Sequence, residues 1–346
     1  MFELTTFIDM KDMVPLNNEG RNSSVYSFTD PQLGAELIMK KIDKSTITNI
    51  DELFNESRIL YEVRHPNIME IQYASYNDDS IFIVMPRYKN GSVQSMLNQR
   101  YLTVREVLKY SLEFLTGLHY VHAHKLIHYD IKPTNILINN NGKAVLTDFG
   151  LTKFMDELGL AVQERTYVSE MPPEKYLSSK TNLKCDIYQA GLTMYRMCNG
   201  NDIWEEQLEQ VRVDLKDSIL TGIFPDRKLY LPHIPLQLRK VINKCIEVDP
   251  DKRYNSVLEI INALSVIENN LDWKYSKKRD RESWSRIGST GKNEEVIVLY
   301  KEGHTYKIAG KKKNIQSRRV SNVSNWAYSS VKRDDAIKKV ITFLKE

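Results

Sequence analysis

The apolar positions along this chain fall into two regimes. In the N-terminal part they come in short runs: Val25–Phe28, Leu37–Ile42 and Ile81–Met85 are rich in strand-forming residues. Turn chemistry at Asp30-Pro31, Asn77-Asp78-Asp79 and Asn90-Gly91 bounds these runs, so they predict strands. One helix interrupts them, over Asp51–Val63. From Thr103 the period changes. Val104, Val107, Leu108, Leu112, Leu115, Leu118 and Val121 recur at helical spacing, and Thr103 with Glu106 three residues later forms a capping box at the start. A small β-rich part followed by a larger helical part predicts two lobes, with a cleft between them as the natural ligand site. Within the second part, Ile136–Ile138 and Ala144–Thr147 flank Asn139-Asn140-Asn141-Gly142, which predicts a β-hairpin. Near the C-terminus, Val296–Tyr300 and Thr305–Ala309 predict two strands. Asp334–Leu344 predicts a helix with Ala336, Ile337, Val340, Ile341 and Leu344 along one face.

Charge divides the chain further. Its 346 residues carry a net charge of +4. Residues 274–346 hold 19 Lys+Arg against 8 Asp+Glu, whereas the preceding residues hold 30 against 37. A shift of that size predicts a module boundary near Trp273. We therefore expect an N-terminal extension (1–13), a main domain (14–268), a linker (269–285) and a small basic α+β module (286–346). No run approaches the ~18 apolar residues of a membrane-spanning helix. The N-terminal MFELTTFIDMKDM carries acids and lacks an apolar leader core. Cys185, Cys198 and Cys245 have no metal-ligand spacing and read as buried, reduced thiols. Together these features predict a cytoplasmic protein.

The candidate chemistry lies between Lys125 and Asp148. The hairpin brings Asn135, just before its first strand, beside Asp148, just after its second. An amide oxygen next to a carboxylate suits a hard cation such as Mg²⁺ that also keeps waters and phosphate oxygens. Asp130 and Lys132 lie on the approach to Asn135, so the set could place a metal-bound phosphate beside an acceptor hydroxyl. A second charged pair is expected in the N-terminal part. Lys40 ends an apolar strand, and Glu56 sits within the apolar stripe of the Asp51–Val63 helix, where a buried charge needs a partner.

These residues resemble a known family. His128-Tyr129-Asp130-Ile131-Lys132-Pro133-Thr134-Asn135 resembles the catalytic loop of eukaryotic-type protein kinases, and Asp148-Phe149-Gly150 resembles their metal-binding motif. Leu37-Ile38-Met39-Lys40 is similar to the strand bearing the phosphate-binding lysine. Glu56 stands where the family's helix glutamate stands, nine residues before His65-Pro66-Asn67-Ile68. Pro172-Pro173-Glu174, Asp186-Ile187-Tyr188-Gln189-Ala190-Gly191, and Asp249-Pro250 with Arg253 resemble later landmarks, over about residues 14–268 in all. The resemblance implies a bilobal α+β kinase fold and an ATP- and Mg²⁺-dependent (or Mn²⁺-dependent) serine/threonine kinase acting on protein substrates and on itself. It implies that Asp130 accepts the hydroxyl proton and that Lys132 stabilises the moving phosphoryl group. Asn135 and Asp148 would hold metal, and Lys40, held by Glu56, would grip the nucleotide phosphates. Asn18, Gly20, Ser23 and Val25 would form the loop over the phosphates. Ile38 would face the adenine, and Met85-Pro86-Arg87-Tyr88 would be the hinge whose backbone contacts it.

This sequence departs from the family at several points. Of the three expected loop glycines only Gly20 remains. Ile38 replaces a small alanine. Tyr129 replaces the arginine that usually binds an activation-segment phosphate, which implies that phosphorylation there matters less. Thr166 and Tyr167 are the candidate autophosphorylation sites. His119, His122 and His124 read as packing or capping residues, and His128 as a structural one. A pseudokinase scaffold is the second reading, motivated by the poor glycine loop and Ile38. A small-molecule phosphotransferase is the third. In the basic segment, Trp273, Tyr275, Trp284, Tyr306, Trp326 and Tyr328 interleave with Lys and Arg. That is compatible with nucleic acid, but a solvated basic surface that docks on the acidic main domain of this chain or on an acidic protein is the favoured expectation.

Overall fold

A computed structural model of the chain describes residues 8–16, 23–46, 55–62, 64–163 and 168–345, without the side chains of residues 46, 55–57, 60 and 168. The β-rich runs form an antiparallel sheet of five strands: β1 (Lys11–Leu16), β2 (Ser23–Asp30), β3 (Ala35–Asp43), β4 (Tyr73–Tyr76) and β5 (Ser80–Pro86), in the order β1-β2-β3-β5-β4. Alternation sets its two faces. Phe28, Leu37, Met39 and Val84 are buried together on one face. Val25 lies opposite Lys40 and Lys40 opposite Ile83, while Ile38 lies opposite Met85, so these residues share the other face. The helix α1 (Asn55–Glu62) lies between β3 and β4 in the chain. Because β1 pairs with β2, residues 11–13 belong to the sheet and not to an N-terminal extension.

The helical lobe follows. It contains α2 (Val93–Leu97) and α3 (Val104–Ala123), whose Thr103–Glu106 capping box is formed as the sequence predicts. The short strand β6 (Leu126–Ile127) and the hairpin β7 (Ile136–Ile138) and β8 (Ala144–Leu146) come next. β9 (Lys153–Phe154) pairs with β6, and β10 (Ala161–Val162) with β11 (Lys180–Thr181). The lobe is completed by α4 (Lys184–Asn199), α5 (Asn201–Gln210), α6 (Leu215–Leu220), α7 (Leu236–Cys245) and α8 (Val257–Ser265). α4 is buried almost end to end, and the three cysteines are buried and free.

Beyond Leu271 the chain forms a second five-stranded antiparallel sheet in sequential order: β12 (Lys274–Lys278), β13 (Arg281–Ile287), β14 (Asn293–Glu302), β15 (Thr305–Asn314) and β16 (Val320–Val331). It is followed by α9 (Arg333–Leu344). The expected linker is thus largely strand, and the sheet begins at Lys274. The reason is packing. Trp273, Tyr275 and Trp284 are buried in a core continuous with the helical lobe. The Trp273 indole N–H donates to the Leu344 carbonyl at 2.9 Å, and the Tyr275 ring packs on Tyr101 and His233. Trp326 is buried too, against Phe343 of α9. Four of the six rings that interleave with basic residues in sequence are therefore interior and unable to stack on bases.

Candidate active site

The β7–β8 hairpin performs the predicted juxtaposition. The Thr147 amide donates to the Asn135 carbonyl at 3.0 Å, closing the hairpin's open end with Asn135 on one side and Asp148 on the other. The segment between α1 and β4 is stitched to the hairpin. Met69 N–H donates to the Leu146 carbonyl (2.8 Å), Leu146 N–H to the Asn67 carbonyl (2.9 Å), and the Asn67 amide to the Ala144 carbonyl (2.9 Å).

At this junction the charged groups converge. Lys40 Nζ lies 2.8 Å from Asp148 Oδ1, an ion pair across the two lobes. The Lys40 ammonium holds the Asp148 carboxyl well below the usual carboxylate range. Asp130 is buried. Its Oδ1 lies 3.1 Å from Lys132 Nζ, and its Oδ2 accepts from the Asn135 amide at 2.7 Å. Burial pushes the Asp130 carboxyl up to about 6, against the opposing pull of Lys132. The Asn135 amide N–H also reaches the Asp130 carbonyl at 2.9 Å, which turns its oxygen to other partners. That oxygen and the Asp148 carboxylate make a hard donor pair. They fit Mg²⁺ or Mn²⁺ and leave the remaining positions to waters and phosphate oxygens.

The loop that carries Asp130 is held from beneath. Tyr129 has a φ of 66°, a left-handed conformation costly for a bulky residue. Fully buried Asp186 at the start of α4 enforces it. Its carboxylate accepts from the amides of His128 (2.8 Å) and Tyr129 (2.7 Å), and from the His122 ring (2.8 Å). Gln189, one turn along, donates to the Tyr129 carbonyl (3.0 Å) and accepts from the Ile131 amide (3.2 Å). Burial lowers the pKa of His128. The neutral ring accepts the Asp130 amide at Nδ1 (3.2 Å) and packs edge-on against Phe149, with centroids 4.7 Å apart. The Tyr129 side chain turns away from the cleft. Its hydroxyl donates to the Ala161 carbonyl and meets Thr181 Oγ1, both at 3.1 Å. Farther out, Arg253 makes a two-pronged bond to Glu174, with both contacts at 2.7 Å.

Of the residues marked from sequence, Asp130, Lys132, Asn135, Asp148 and Lys40 come together here. Ser23, Val25, Ile38 and Met85 lie on the same sheet face as Lys40. Arg87 turns its side chain toward Glu36 (3.3 Å), which leaves its backbone as what it offers the cleft. Asn18, Gly20, Thr166, Tyr167 and the Glu56 side chain lie outside the described residues. Sequence reasoning missed His122 and Gln189 as supports of the loop. Both sit at unremarkable helical positions, and no local signal marks them.

A family model described as the protein kinase domain matches residues 18–264. The chain is 31% identical over 220 residues to mitogen-activated protein kinase kinase kinase 1b of Physcomitrium patens, covering 63% of this chain and 28% of that one. It is 26% identical over 266 residues to a probable serine/threonine-protein kinase, PknB, of Lactococcus lactis, covering 75% and 42%. It is 27% identical over 280 residues to a probable serine/threonine-protein kinase of Clostridium perfringens, covering 78% and 40%. The chain thus spans less than half the length of these curated relatives.

Proposed function

This chain belongs to the protein kinase family, and from that premise we propose that it is an active serine/threonine kinase that moves the γ-phosphate of ATP to protein hydroxyls, its own included. One observation carries the reading. Lys40 and Asp148 meet at 2.8 Å across the cleft while Asp130, Lys132 and Asn135 bond one another beside them. A chain that had given up catalysis would have no need to keep all five groups in register.

In this reading the lobes divide the work. Val25, Ile38 and Met85 give the adenine an apolar wall, and the backbone near Met85 and Arg87 gives it hydrogen bonds. Lys40 holds the α- and β-phosphates, and by the family resemblance Glu56 would orient Lys40 while Asn18, Gly20 and Ser23 would belong to the loop over the phosphates. Asn135 and Asp148 would hold Mg²⁺ or Mn²⁺, which when bound neutralises phosphate charge. Asp130 accepts a hydrogen bond from the substrate hydroxyl, aligns its oxygen for in-line attack and takes its proton as the bond to phosphorus forms. Its raised pKa makes it a better base than an exposed aspartate. Lys132, 3.1 Å from Asp130, places its positive charge where the transferred phosphoryl group passes. Lysine at this position supports the choice of serine and threonine over tyrosine, as do the names of the relatives.

The test is product identification. Purified protein is incubated with labelled ATP, Mg²⁺ and a generic basic protein, and the labelled residues are determined. Phosphoserine or phosphothreonine, absent from an Asp130→Ala variant, is the expected result. Absence of label from a wild type that binds nucleotide normally would replace this reading with a pseudokinase scaffold. Label on a small molecule alone would replace it with a small-molecule phosphotransferase.

A further inference from the structure

The C-terminal sheet plays no part in the chemistry above, and its surface is unusual in two respects. First, one face of the sheet covers the core and the other is open. Strand register places residues in rows across the open face. Lys278, Arg281, Tyr300 and Lys307 form one row, and Lys274, Ser285, Val296, Lys311 and Asn322 form another. Glu294 and Glu302 are the acidic residues in these strands on that face, each 4.0 Å from a lysine, Lys313 and Lys307. Lys311 has no acidic partner among the described residues. A concavity of about 420 Å³, bordered by Tyr300, Glu302, Lys307, Lys311, Asn322 and Ala327, runs from β14 across to β16.

Second, β16 is an edge strand of twelve residues, nine of them exposed, that contains no charged residue and no proline. Among the described residues it pairs with β15 alone, in regular register over residues 320–323 and with irregularities between Val323 and Tyr328 and between Tyr328 and Val331, where Ser330 has a φ of 57°. Natural sheets protect edges with charge, proline, bulges or a covering element, because unpaired N–H and C=O groups invite another strand, so residues 320–323 are the stretch left without such a device. Here α9 covers the core face of the strand, through Trp326 and Tyr328 against Phe343. Basic residues flank the neutral strand at both ends, Arg318-Arg319 before it and Lys332-Arg333 after it.

We propose that the edge of β16 at residues 320–323 and the adjoining open face form a docking surface for an extended, acidic segment of another protein, added to the sheet as a further strand. Main-chain hydrogen bonds to β16 would supply affinity, and acidic side chains toward Lys307 and Lys311 would supply selectivity. Two other occupants fit less well. A single-stranded nucleic acid needs aromatic platforms, and this face offers one ring, Tyr300, because Trp273, Trp284 and Trp326 are interior. A second copy pairing antiparallel through β16 would bring Arg318-Arg319 of one chain toward Lys332-Arg333 of the other, within the ~8 Å screening length of like charges. The inference stands on the C-terminal sheet and is independent of phosphoryl transfer.

The test uses the full chain and a short fluorescent peptide that alternates glutamate and valine. Binding is read by anisotropy beside three probes: an alternating lysine–valine peptide, an alternating glutamate–proline peptide that keeps the charge but cannot join the ladder, and oligothymidylate. Saturable binding of the glutamate–valine peptide is expected. The proline peptide and the Lys307→Glu/Lys311→Glu variant, with an unchanged circular dichroism spectrum, should each weaken it by about tenfold or more. Four outcomes would overturn the proposal: no binding; equal binding of the proline peptide; tighter binding of oligothymidylate; or a protein already dimeric in sedimentation and indifferent to the peptide.

Discussion

Replacing Asp186 should reveal how the loop that carries Asp130 is held. Its carboxylate is fully buried and accepts two backbone amides, from His128 at 2.8 Å and Tyr129 at 2.7 Å. A hydrogen bond to a charged partner contributes about 1.5–3 kcal/mol, and a buried donor left without a partner costs a similar amount. Asp186→Ala therefore loses roughly 3–6 kcal/mol, a large part of the ~5–15 kcal/mol that stabilises a typical domain. Asp186→Asn keeps the shape and one acceptor but turns an NH2 toward an N–H, so about half that loss is expected. The bonds at the His128 and Tyr129 amides that set the left-handed conformation are then lost or weakened, leaving Gln189 at the Tyr129 carbonyl and the Tyr129 hydroxyl contacts, and Asp130 follows in sequence. A shift of the loop by about 1 Å lowers turnover about 100-fold. The assay pairs thermal unfolding with kinase turnover measured below each variant's transition, and with ATP affinity. We expect a fall in Tm of roughly ten degrees or more for Asp186→Ala, lost turnover and nearly unchanged ATP affinity in Asp186→Asn. An Asp186→Ala protein with wild-type Tm and turnover would refute the reasoning.

Other predictions follow from the same geometry. Glu174→Ala leaves the Arg253 guanidinium buried without its carboxylate and should cost about 3–5 kcal/mol in denaturant unfolding, while Glu174→Ala with Arg253→Met should recover much of it. Burial pushes the Glu106 carboxyl up, but its bonds to Arg100 and Thr103 win and hold it below its ordinary value of 4.5. Its stabilisation is therefore present above that value and lost as pH falls through the lower folded one, so Glu106→Gln should flatten the acid limb of the Tm–pH profile. Tyr129→Phe deletes a hydroxyl bonded to Ala161 and Thr181. The loss of about 1 kcal/mol of ordering should reduce turnover about fivefold and speed proteolysis between residues 151 and 171, whereas phosphatase treatment of the wild type should leave turnover unchanged.

Much of the active-site arrangement was legible in the sequence because it is local. Asn135 and Asp148 flank a hairpin whose turn residues are visible, so their meeting follows from short-range geometry. The capping box at Thr103 and the β2, β3 and β5 strands are local in the same sense. What holds these residues was less legible. Asp186 reaches the catalytic loop from 57 and 58 residues away, and His122 from 64, with no periodicity that relates them. The linker expected over 269–285 is largely strand for a similar reason. The charge change near Trp273 is real, but the polar alternation of Lys274–Lys278 and Arg281–Ile287 hides the strands whose Tyr275 and Trp284 complete the helical lobe's core. β16 escaped notice because serine and asparagine dominate it. Such a composition reads as loop until a neighbouring strand supplies the register.

The central claim, that Asp130 acts on the substrate hydroxyl while other residues bind the nucleotide, is tested most directly by Asp130→Asn. The substitution keeps the side chain's size and leaves Lys40 and Asp148 intact. Turnover on a protein substrate is measured beside ATP affinity in the presence of Mg²⁺. The account predicts turnover lowered about 10²–10⁴-fold with ATP affinity within a few-fold of wild type. Turnover retained by Asp130→Asn, with the product still phosphoserine or phosphothreonine, would contradict it.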